Sequence, residues 1–168
     1  MTKSEEMIRA RAAAARNIKS VAGNNMIFTK IPPKFKPRFN VASCYIEFEG
    51  KILLLFRESH KLEGNKWGMP AGKIRRGESE KEAVIREIKE ETGLEVLPEK
   101  LNYCRKVYVR YLDYDFIYHI FFYKLDSETQ IKIDPAEHKE YAWVTPQEAL
   151  KMKLVKDQDI GIKMHYGI

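Results

Sequence analysis

The amino-acid sequence predicts an α/β (α+β) fold in which a mixed β-sheet carries helices on its faces. Runs of strand length, rich in β-branched and aromatic residues, lie between segments whose apolar residues recur at helical spacing. Their order along the chain is helix, several strands, helix, several strands and helix, which is typical of a layered sheet. With 168 residues, of which 44% are hydrophobic, the chain is long enough to bury the core of one domain.

The first 39 residues predict a basic helix followed by a proline-containing linker. In TKSEEMIRARAAAARNIKSV, Thr2 and Glu5 match a capping box and the alanines favour a helix, whereas KIPPKFKPRF is interrupted by prolines. The whole chain carries a net charge of +6, and residues 1–40, with nine Lys or Arg and two Glu, carry +7. We expect this segment to be a solvated basic helix, with contact to phosphates or to an acidic partner as the alternative.

One narrow apolar stripe follows the predicted N-terminal helix. Its members recur at helical spacing and therefore share one face. They are Met7, Ala10, Ala14, Ile18 and Val21. We expect this face to pack on the main domain or on a second copy of the chain, which would form a homodimer.

The second region, residues 40–168, begins with patterns of β-strands. NVASCYIEFEGKILLLFRES predicts a hairpin that turns at Glu49-Gly50, and WGMPAGKI predicts a short extended segment broken by Pro70. The segment from Ser79 to Thr92 then has a helical period, and Gly93 follows it where a helix C-terminal glycine belongs.

The remaining residues predict three more strands and a short helix. LNYCRKVYVRYL and YDFIYHIFFYKL predict two long aromatic strands joined near Asp113, and EYAWVTP predicts a further strand. TPQEALKMK predicts a short helix with Thr145 at its N-cap and Pro146 at its first position.

The cysteines and the hydropathy of the chain indicate which cellular compartment to expect. Cys44 and Cys104 have neither metal-like spacing nor the pattern of a disulfide framework, which favours a reducing, cytoplasmic compartment. No apolar run approaches the roughly 18 residues that a membrane-spanning helix needs, so we expect no membrane partner.

Six glutamates lie within the fourteen residues from Glu78 to Glu91. Glu87, Glu90 and Glu91 stand at positions i, i+3 and i+4, so their side chains project from one face of the predicted helix. Ionised carboxylates this close repel one another unless a cation neutralises them, and oxygen ligands favour Mg²⁺ or Mn²⁺. A solvated acidic helix is the alternative for a lone EExxG, but the surrounding pattern is much longer than that.

The stretch GKIRRGESEKEAVIREIKEETGL, residues 72–94, satisfies the pattern G-x5-E-x7-R-E-U-x-E-E-x-G-U, where U is Ile, Leu or Val. Average residue usage gives nine such coincidences a probability on the order of 10⁻⁸ in a chain of this length. The stretch resembles the signature of the Nudix hydrolases, the MutT-like pyrophosphohydrolases. WGMPAGK and EHKEYAWVTPQEAL resemble flanking segments of that family, although Ala71 stands where glycine is usual.

This resemblance, which covers roughly residues 40–155, implies a fold and an activity. The fold would be an α/β/α sandwich with a mixed sheet in residues 40–168, with the helix of residues 1–39 as an extra element. The activity would be Mg²⁺- or Mn²⁺-dependent cleavage of a nucleoside diphosphate linked to another moiety, so the expected partner is a small nucleotide.

The resemblance also assigns roles to individual residues. The implied metal ligands are the carboxylates of Glu87, Glu90 and Glu91 and the backbone carbonyl of Ala71. The implied catalytic residues are Glu87, Arg86 and Glu137, with Glu137 six residues before Trp143 and Glu140 as its substitute. Gly72 and Glu78 would brace the loop, and Arg57 and Lys73 are the expected substrate-binding residues.

The substrate and two alternative functions stay open at this point. Val109 stands where ADP-ribose hydrolases of the family tend to have proline, and Tyr111 stands where diadenosine-polyphosphate hydrolases tend to have tyrosine. The second match is weak because tyrosines are abundant here. We expect these rings to pack in the core or on the surface of the sheet. One alternative is an RNA 5′-pyrophosphohydrolase, suggested by the basic first 40 residues. The other is a non-catalytic nucleotide-binding module, which the intact carboxylate set argues against.

Overall fold

The computed structural model describes residues 26–168, so the helix predicted within the first 25 residues lies outside the described part. The strands are β1 (Met26–Phe28), β2 (Pro37–Phe48), β3 (Lys51–Arg57), β4 (Trp67–Gly68), β5 (Ala71–Lys73), β6 (Asn102–Arg110), β7 (Asp115–Lys124) and β8 (His138–Val144). The helices are α1 (Glu80–Thr92), α2 (Pro146–Ala149) and α3 (Gln158–Tyr166), and a 3₁₀ turn spans Pro98–Lys100.

The strands form one mixed sheet, as the sequence predicts. Its order is β1-β6-β7-β2-β3-β4, with β5 paired to β2 and β8 paired to β3. Strands β2 and β7 run parallel, while the other pairs are antiparallel. A parallel pair needs a long crossover, and here the chain between β2 and β7 includes α1.

The predicted hairpin between β2 and β3 is confirmed. Phe48 pairs with Lys51, which leaves Glu49 and Gly50 as a two-residue loop. Both loop residues have positive φ, at 48° and 75°, as the favoured two-residue hairpin turn requires.

Apolar side chains fill both faces of the sheet, which explains why KILLLF is continuously hydrophobic. One core cluster lies between the sheet and α1, and the other lies between the sheet and the C-terminal helices. Leu53 and Leu55 point into the first cluster, and Ile52 and Leu54 point into the second. The result is the predicted sandwich of helix, sheet and helix.

Helix α1 begins and ends where the sequence predicts. The side chain of Ser79 accepts a hydrogen bond from the backbone of Glu82, and the Glu82 carboxylate accepts one from the backbone of Ser79. Gly93 adopts φ 72° at the C-terminus, a left-handed conformation that glycine adopts without steric cost. These caps determine which turn of the chain carries Glu87, Glu90 and Glu91.

The sheet extends beyond the predicted boundary between residues 39 and 40. Strand β1 pairs with β6, and β2 begins at Pro37, while the linker prolines Pro32 and Pro33 fall between these two strands. The backbone N–H of Lys36 donates to Asp115 at 2.8 Å, which ties this linker to β7. The role of the segment before residue 26 stays a prediction.

Helix α3 is not predicted by the sequence. Gly161 lies at its centre, which lowers helix propensity, and Asp157 precedes it with φ 62° and no side-chain cap. A Cβ at Gly161 would lie 3.0 Å from the Tyr45 hydroxyl, so the close packing of α3 on β2 favours glycine there. Within residues 26–168, neither α3 nor any other helix is long and apolar enough to cross a membrane.

Candidate active site

The three carboxylates predicted as metal ligands share one side of α1 but differ in burial. The Glu91 residue is only 7% exposed. The Glu87 side chain is 13% exposed and the Glu90 side chain is 47% exposed. The face is therefore graded, from a carboxylate inside the protein to one at the surface.

Arg86 organises this face. Its Nε donates to Glu78 at 2.5 Å, and its two terminal nitrogens reach Glu87 at 2.5 Å and the Lys73 carbonyl at 3.1 Å. The same guanidinium also lies 3.2 Å from Glu90. Arg86 thus joins Glu78, Glu87 and the Lys73 carbonyl, while its orienting role and the bracing role of Glu78 stay predictions.

The loop before α1 approaches the helix closely at two points. A Cβ at Gly72 would lie 2.1–2.4 Å from the atoms of the Glu87 carboxyl group, so only glycine fits beneath that group. The backbone N–H of Ala71 donates to Oε2 of Glu91 at 3.0 Å. A methyl side chain is accommodated at Ala71, which explains how this chain tolerates a departure from the usual glycine.

Burial and like charge shift the pKa values of the acidic groups. Burial, followed by the charge of Glu87, raises the pKa of Glu91 to about 8. Burial also raises the pKa of Glu87, although Arg86 opposes this shift. The hydrogen bond from Arg86 lowers the pKa of Glu78 to about 2. The pKa is thus raised for the two buried acids that lie close together and lowered for Glu78, whose hydrogen bond with Arg86 is the main cause.

No three His, Cys, Asp or Glu side chains in residues 26–168 are already gathered as a metal site. Glu87 is turned toward Arg86, Glu90 is shared between Arg75 and Arg86, and Glu91 is bonded to the Ala71 backbone. The donor set nevertheless fits a hard cation, because it consists of carboxylate oxygens on one helical turn. The metal ligands stay a prediction.

Arg57, the last residue of β3, and Glu137, in the turn just before β8, lie near Glu91. The charge of Arg57 lowers the pKa of Glu91, while that of Glu137 raises it. Glu137 accepts a hydrogen bond from Lys61 at 2.6 Å, and Arg57 donates to the Leu62 carbonyl at 3.0 Å. Both predicted residues are therefore close enough to influence Glu91, while Glu140 is exposed farther along β8.

A cavity of about 270 Å³ adjoins this site on the face of the sheet that packs against α3. The predicted substrate residues Arg57 and Lys73 line it, as does Ala71, so the cavity and the carboxylate face share a border. Sequence reasoning missed most of its wall, because these residues come from distant segments. They include Phe39, Tyr111, Tyr114, Phe116, Tyr118, His138, Lys156 and Asp157.

A protein-family model described as the NUDIX domain matches residues 36–163 of the chain. The chain belongs to the Nudix family. The match includes the box of residues 72–94 and strands β2 to β8. It confirms the resemblance of the sequence to the Nudix hydrolases, and with it the enzyme class.

Two Nudix relatives share most of their length with this chain. The CTP pyrophosphohydrolase of Escherichia coli K12 is 29% identical over 116 residues, which cover 68% of this chain and 81% of that protein. The ADP-ribose pyrophosphatase of Bacillus subtilis 168 is 32% identical over 131 residues, which cover 76% and 69%. The crystal structure of the MutT protein from Methanosarcina mazei Go1 is similar, with a TM-score of 0.66, 27% identity, and coverage of 79% and 94%.

Proposed function

We propose that this Nudix hydrolase cleaves the pyrophosphate linkage of a nucleoside diphosphate joined to another moiety, with Mg²⁺ or Mn²⁺ as cofactor, and releases a nucleoside monophosphate. The observation that carries the proposal is the shared border between the graded carboxylate face of α1 and the aromatic cavity. Ala71 belongs to both, because its N–H donates to Glu91 and the residue lines the cavity.

The cation would be held by Glu87, Glu90 and Glu91, with the Ala71 carbonyl as a further ligand. When bound, it would offset the negative charge of the diphosphate and make water more acidic. The protein itself suits this role, since a pKa of about 8 for Glu91 marks a buried acid that a nearby cation would ionise. Without a cation, the acidic face would repel phosphate.

The chain's own groups perform the remaining steps. Arg86 and Gly72 hold the Glu87 carboxyl in one place, where it accepts the proton of the attacking water. The water oxygen bonds to phosphorus, the bridging P–O bond breaks, and the departing phosphate keeps its electron pair. Glu137 is the alternative base, and Arg57 and Lys73 at the cavity border bind the phosphates.

The names of the two relatives support this substrate class. CTP and ADP-ribose both contain a phosphoanhydride attached to a nucleoside, which is the linkage that the proposal requires. The cavity contributes a place for the nucleoside part, because aromatic walls suit a flat, apolar ring system.

The first prediction concerns cofactor and bond. In Mg²⁺, a screen of CTP, ADP-ribose, dinucleoside polyphosphates and capped RNA should find at least one substrate that yields a nucleoside monophosphate. EDTA should abolish turnover, and Mg²⁺ or Mn²⁺ should restore it. In ¹⁸O-labelled water, the label should enter a phosphate oxygen.

Two results would contradict this proposal. One is full turnover in excess chelator, which would exclude the metal site. The other is release of inorganic phosphate from simple monoesters while diphosphate conjugates remain intact. Nucleoside monophosphates serve as the matched negative control, because they contain the same nucleoside without an anhydride.

A further inference from the structure

Two basic segments of the chain lie side by side at one edge of the sheet. Residues 26–40 hold four Lys or Arg and residues 101–112 hold three, and neither segment contains Asp or Glu. Strand β1 in the first segment pairs with β6 in the second. The chain that follows β1 also stays near β6, because the Arg110 guanidinium donates to the Pro33 carbonyl at 3.1 Å. Together the two segments form a surface that we call the basic edge.

The cationic side chains of the basic edge are mostly exposed and lack acidic partners. Within residues 26–168, five of these exposed side chains form no ion pair with an Asp or Glu, namely Lys30, Lys34, Lys36, Arg38 and Lys106. Arg110 differs, because its Nε donates to Asp115 at 3.0 Å. Unbalanced like charges repel one another, and a polyanion bound at this surface would offset that repulsion.

Aromatic rings lie between these charges. The Lys106 ammonium lies 5.9 Å from the centre of the Tyr108 ring. The Arg110 guanidinium lies 6.0 Å from the centre of the Phe35 ring. The Phe35 and Tyr108 rings meet edge-on at 5.4 Å. Basic side chains interleaved with rings are typical of surfaces that bind single-stranded nucleic acids, which offer phosphates to the charges and base faces to the rings.

Tyr103 supplies an exposed ring near the other end of β6. The residue is 51% exposed, yet its hydroxyl lies 3.0 Å from Nδ1 of His119 and its ring meets that of Phe121 edge-on at 5.1 Å. These contacts with β7 hold the ring in place, so a base can stack on it without the entropy cost of ordering the side chain. The Glu80 carboxylate, 4.0 Å from Nε2 of His119, limits the basic edge on this side.

Four side chains of β6 share one face of the sheet, because their partners on β7 alternate along that strand. In order they are Tyr103, Lys106, Tyr108 and Arg110, opposite Phe121, His119, Ile117 and Asp115. The strand from Phe121 to Asp115 is about 20 Å long. A few nucleotides of an extended strand cover that length, so one short oligonucleotide would reach the Tyr103 ring and the lysines together.

We propose that the basic edge binds single-stranded nucleic acid, with its lysines and Arg38 on the phosphates and Tyr103 stacked on a base. An acidic protein or an anionic membrane would satisfy the charges alone, whereas a nucleic acid also matches the interleaved rings. The site is separate from the carboxylate face of α1, whose acidic side chains repel a phosphate backbone. It goes beyond the proposed function, since binding here requires neither a divalent cation nor a phosphoanhydride.

The probe is an oligo(U) strand of about 12 nucleotides with a 5′-hydroxyl and a 3′ fluorophore, which contains no phosphoanhydride. Fluorescence anisotropy in EDTA measures its dissociation constant on the full chain at several salt concentrations. The variant Lys34→Gln/Lys36→Gln/Lys106→Gln removes three phosphate contacts. It should bind at least about tenfold more weakly at low salt, and the slope of log affinity against log salt should become shallower by about 2.

The matched control is Lys132→Gln/Lys151→Gln/Lys153→Gln. It removes the same charge from exposed lysines outside the basic edge. This control should therefore retain most of the wild-type affinity and nearly the same dependence on salt. Thermal melts establish that both triple variants fold.

Tyr103→Ser tests the contact with a base. An abasic strand of the same length carries the same phosphates without bases, so comparison with oligo(U) isolates stacking. The wild-type chain should bind oligo(U) about fivefold or more tighter than the abasic strand, and Tyr103→Ser should bring this ratio closer to one. Because the ratio compares two ligands of one variant, a partial loss of folded protein does not alter it.

Several outcomes would overturn the inference. They are no binding of oligo(U) at low salt, equal losses in the two triple variants, equal wild-type binding of oligo(U) and the abasic strand, or an unchanged ratio in Tyr103→Ser. The first and third need no variant, so a folding defect cannot hide them. Tighter binding of poly-glutamate, or of vesicles of phosphatidylserine and phosphatidylcholine, than of oligo(U) would assign the basic edge to an acidic protein or a membrane instead.

Discussion

The box and the cavity are built in opposite ways from the same chain. Residues 72–94 form a loop and a helix that are continuous in sequence, and contacts such as Arg86 with Glu87 join near neighbours. The cavity draws Phe39 from β2, Tyr111 from the turn after β6, and Asp157 from the start of α3. One region is therefore specified by spacing along the chain, and the other is specified by how the sheet folds.

This difference separates two questions about the enzyme. Local spacing determines which groups perform chemistry, so the reaction class can be predicted from the sequence. Tertiary packing determines which rings and polar atoms face the ligand, so the nucleobase of the substrate cannot be predicted from the sequence. Experiments that disturb the box should change the rate, and those that disturb the cavity should change the preference among substrates.

The largest effect is expected from Glu87→Gln. Glu87 combines a position held by Arg86 and Gly72 with proposed roles as metal ligand and base, so turnover should fall by several orders of magnitude. Glu137→Gln should cost less, since general acid–base catalysis alone supplies roughly 10²–10⁴-fold. Glu140→Gln, an exposed change on β8, is the control in assays of kcat with Mg²⁺. The reverse ranking of Glu87 and Glu137 would move the base to the segment before β8.

The next largest effect is expected from Gly72→Ala. The added Cβ would lie within 2.1–2.4 Å of the Glu87 carboxyl atoms, so this carboxyl must move. Displacement by about 1 Å can cost 10²-fold in rate, and we expect a loss of kcat of that order. Gly77→Ala is the matched control, because its Cβ would meet nothing within 4 Å although its φ is +85°.

These two glycine variants should separate steric from conformational effects. Gly77→Ala should lower the melting temperature, since a left-handed residue costs roughly 1–2 kcal/mol, with a smaller loss of kcat. If Gly72→Ala retains wild-type turnover, the close approach to Glu87 has no catalytic importance.

Features set by neighbouring residues are predicted by the sequence, and features set by tertiary packing are not. The hairpin at Glu49-Gly50 and the capped helix α1 are confirmed, because turn and cap residues act through neighbours in the chain. Helix α3 is missed because its stability comes from packing on β2, which Gly161 permits while weakening the local helical signal.

Within the site, the sequence also predicts that Arg86, Glu78 and Glu87 lie close together, since all three belong to one motif. It assigns Tyr111 and Tyr114 to the sheet, whereas these rings also line the cavity. Which face a ring presents depends on the twist and pairing of distant strands. Asp157 carries no local signal at all, because an exposed acid and a buried acid have the same letter.

A further prediction concerns the stability of the metal-free protein as pH changes. An unfolded glutamate has a pKa of about 4.3, whereas Glu91 in the folded chain has a pKa of about 8. Between these values the folded state holds a proton that the unfolded state has lost, so Glu91 reduces stability increasingly as pH rises across this window. Glu91→Gln should therefore raise the melting temperature in EDTA, more at pH 8 than at pH 5.

The control for this measurement is Glu90→Gln, because Glu90 lies on the same face but is far more exposed. Its effect on the melting temperature should be smaller than that of Glu91→Gln at both pH values. Mg²⁺ should stabilise the wild-type chain more than Glu91→Gln, since the variant lacks one proposed ligand. A melting temperature of Glu91→Gln below that of the wild type at pH 8 would contradict the buried, unpaired carboxylate.

The smallest effect is expected at the border of the cavity. The Lys73 ammonium lies 4.4 Å from the centre of the Phe39 ring and lines the cavity, yet the residue is exposed to solvent. A solvated charge contributes little to binding and contributes alike to ground and transition states. Lys73→Gln should therefore raise KM by less than about tenfold and leave kcat nearly unchanged. Lys106→Gln is the control, because Lys106 also faces a ring, that of Tyr108, but does not line the cavity.

Salt provides an independent measure of the same contact. At high ionic strength the difference in KM between the wild type and Lys73→Gln should shrink, because screening weakens the attraction of an exposed ammonium for phosphate. The difference between the wild type and Lys106→Gln should be absent at every salt concentration. A large fall in kcat for Lys73→Gln would show that this residue acts on the reacting phosphate. In that case the reacting phosphate would lie farther into the cavity than the position of Ala71 indicates.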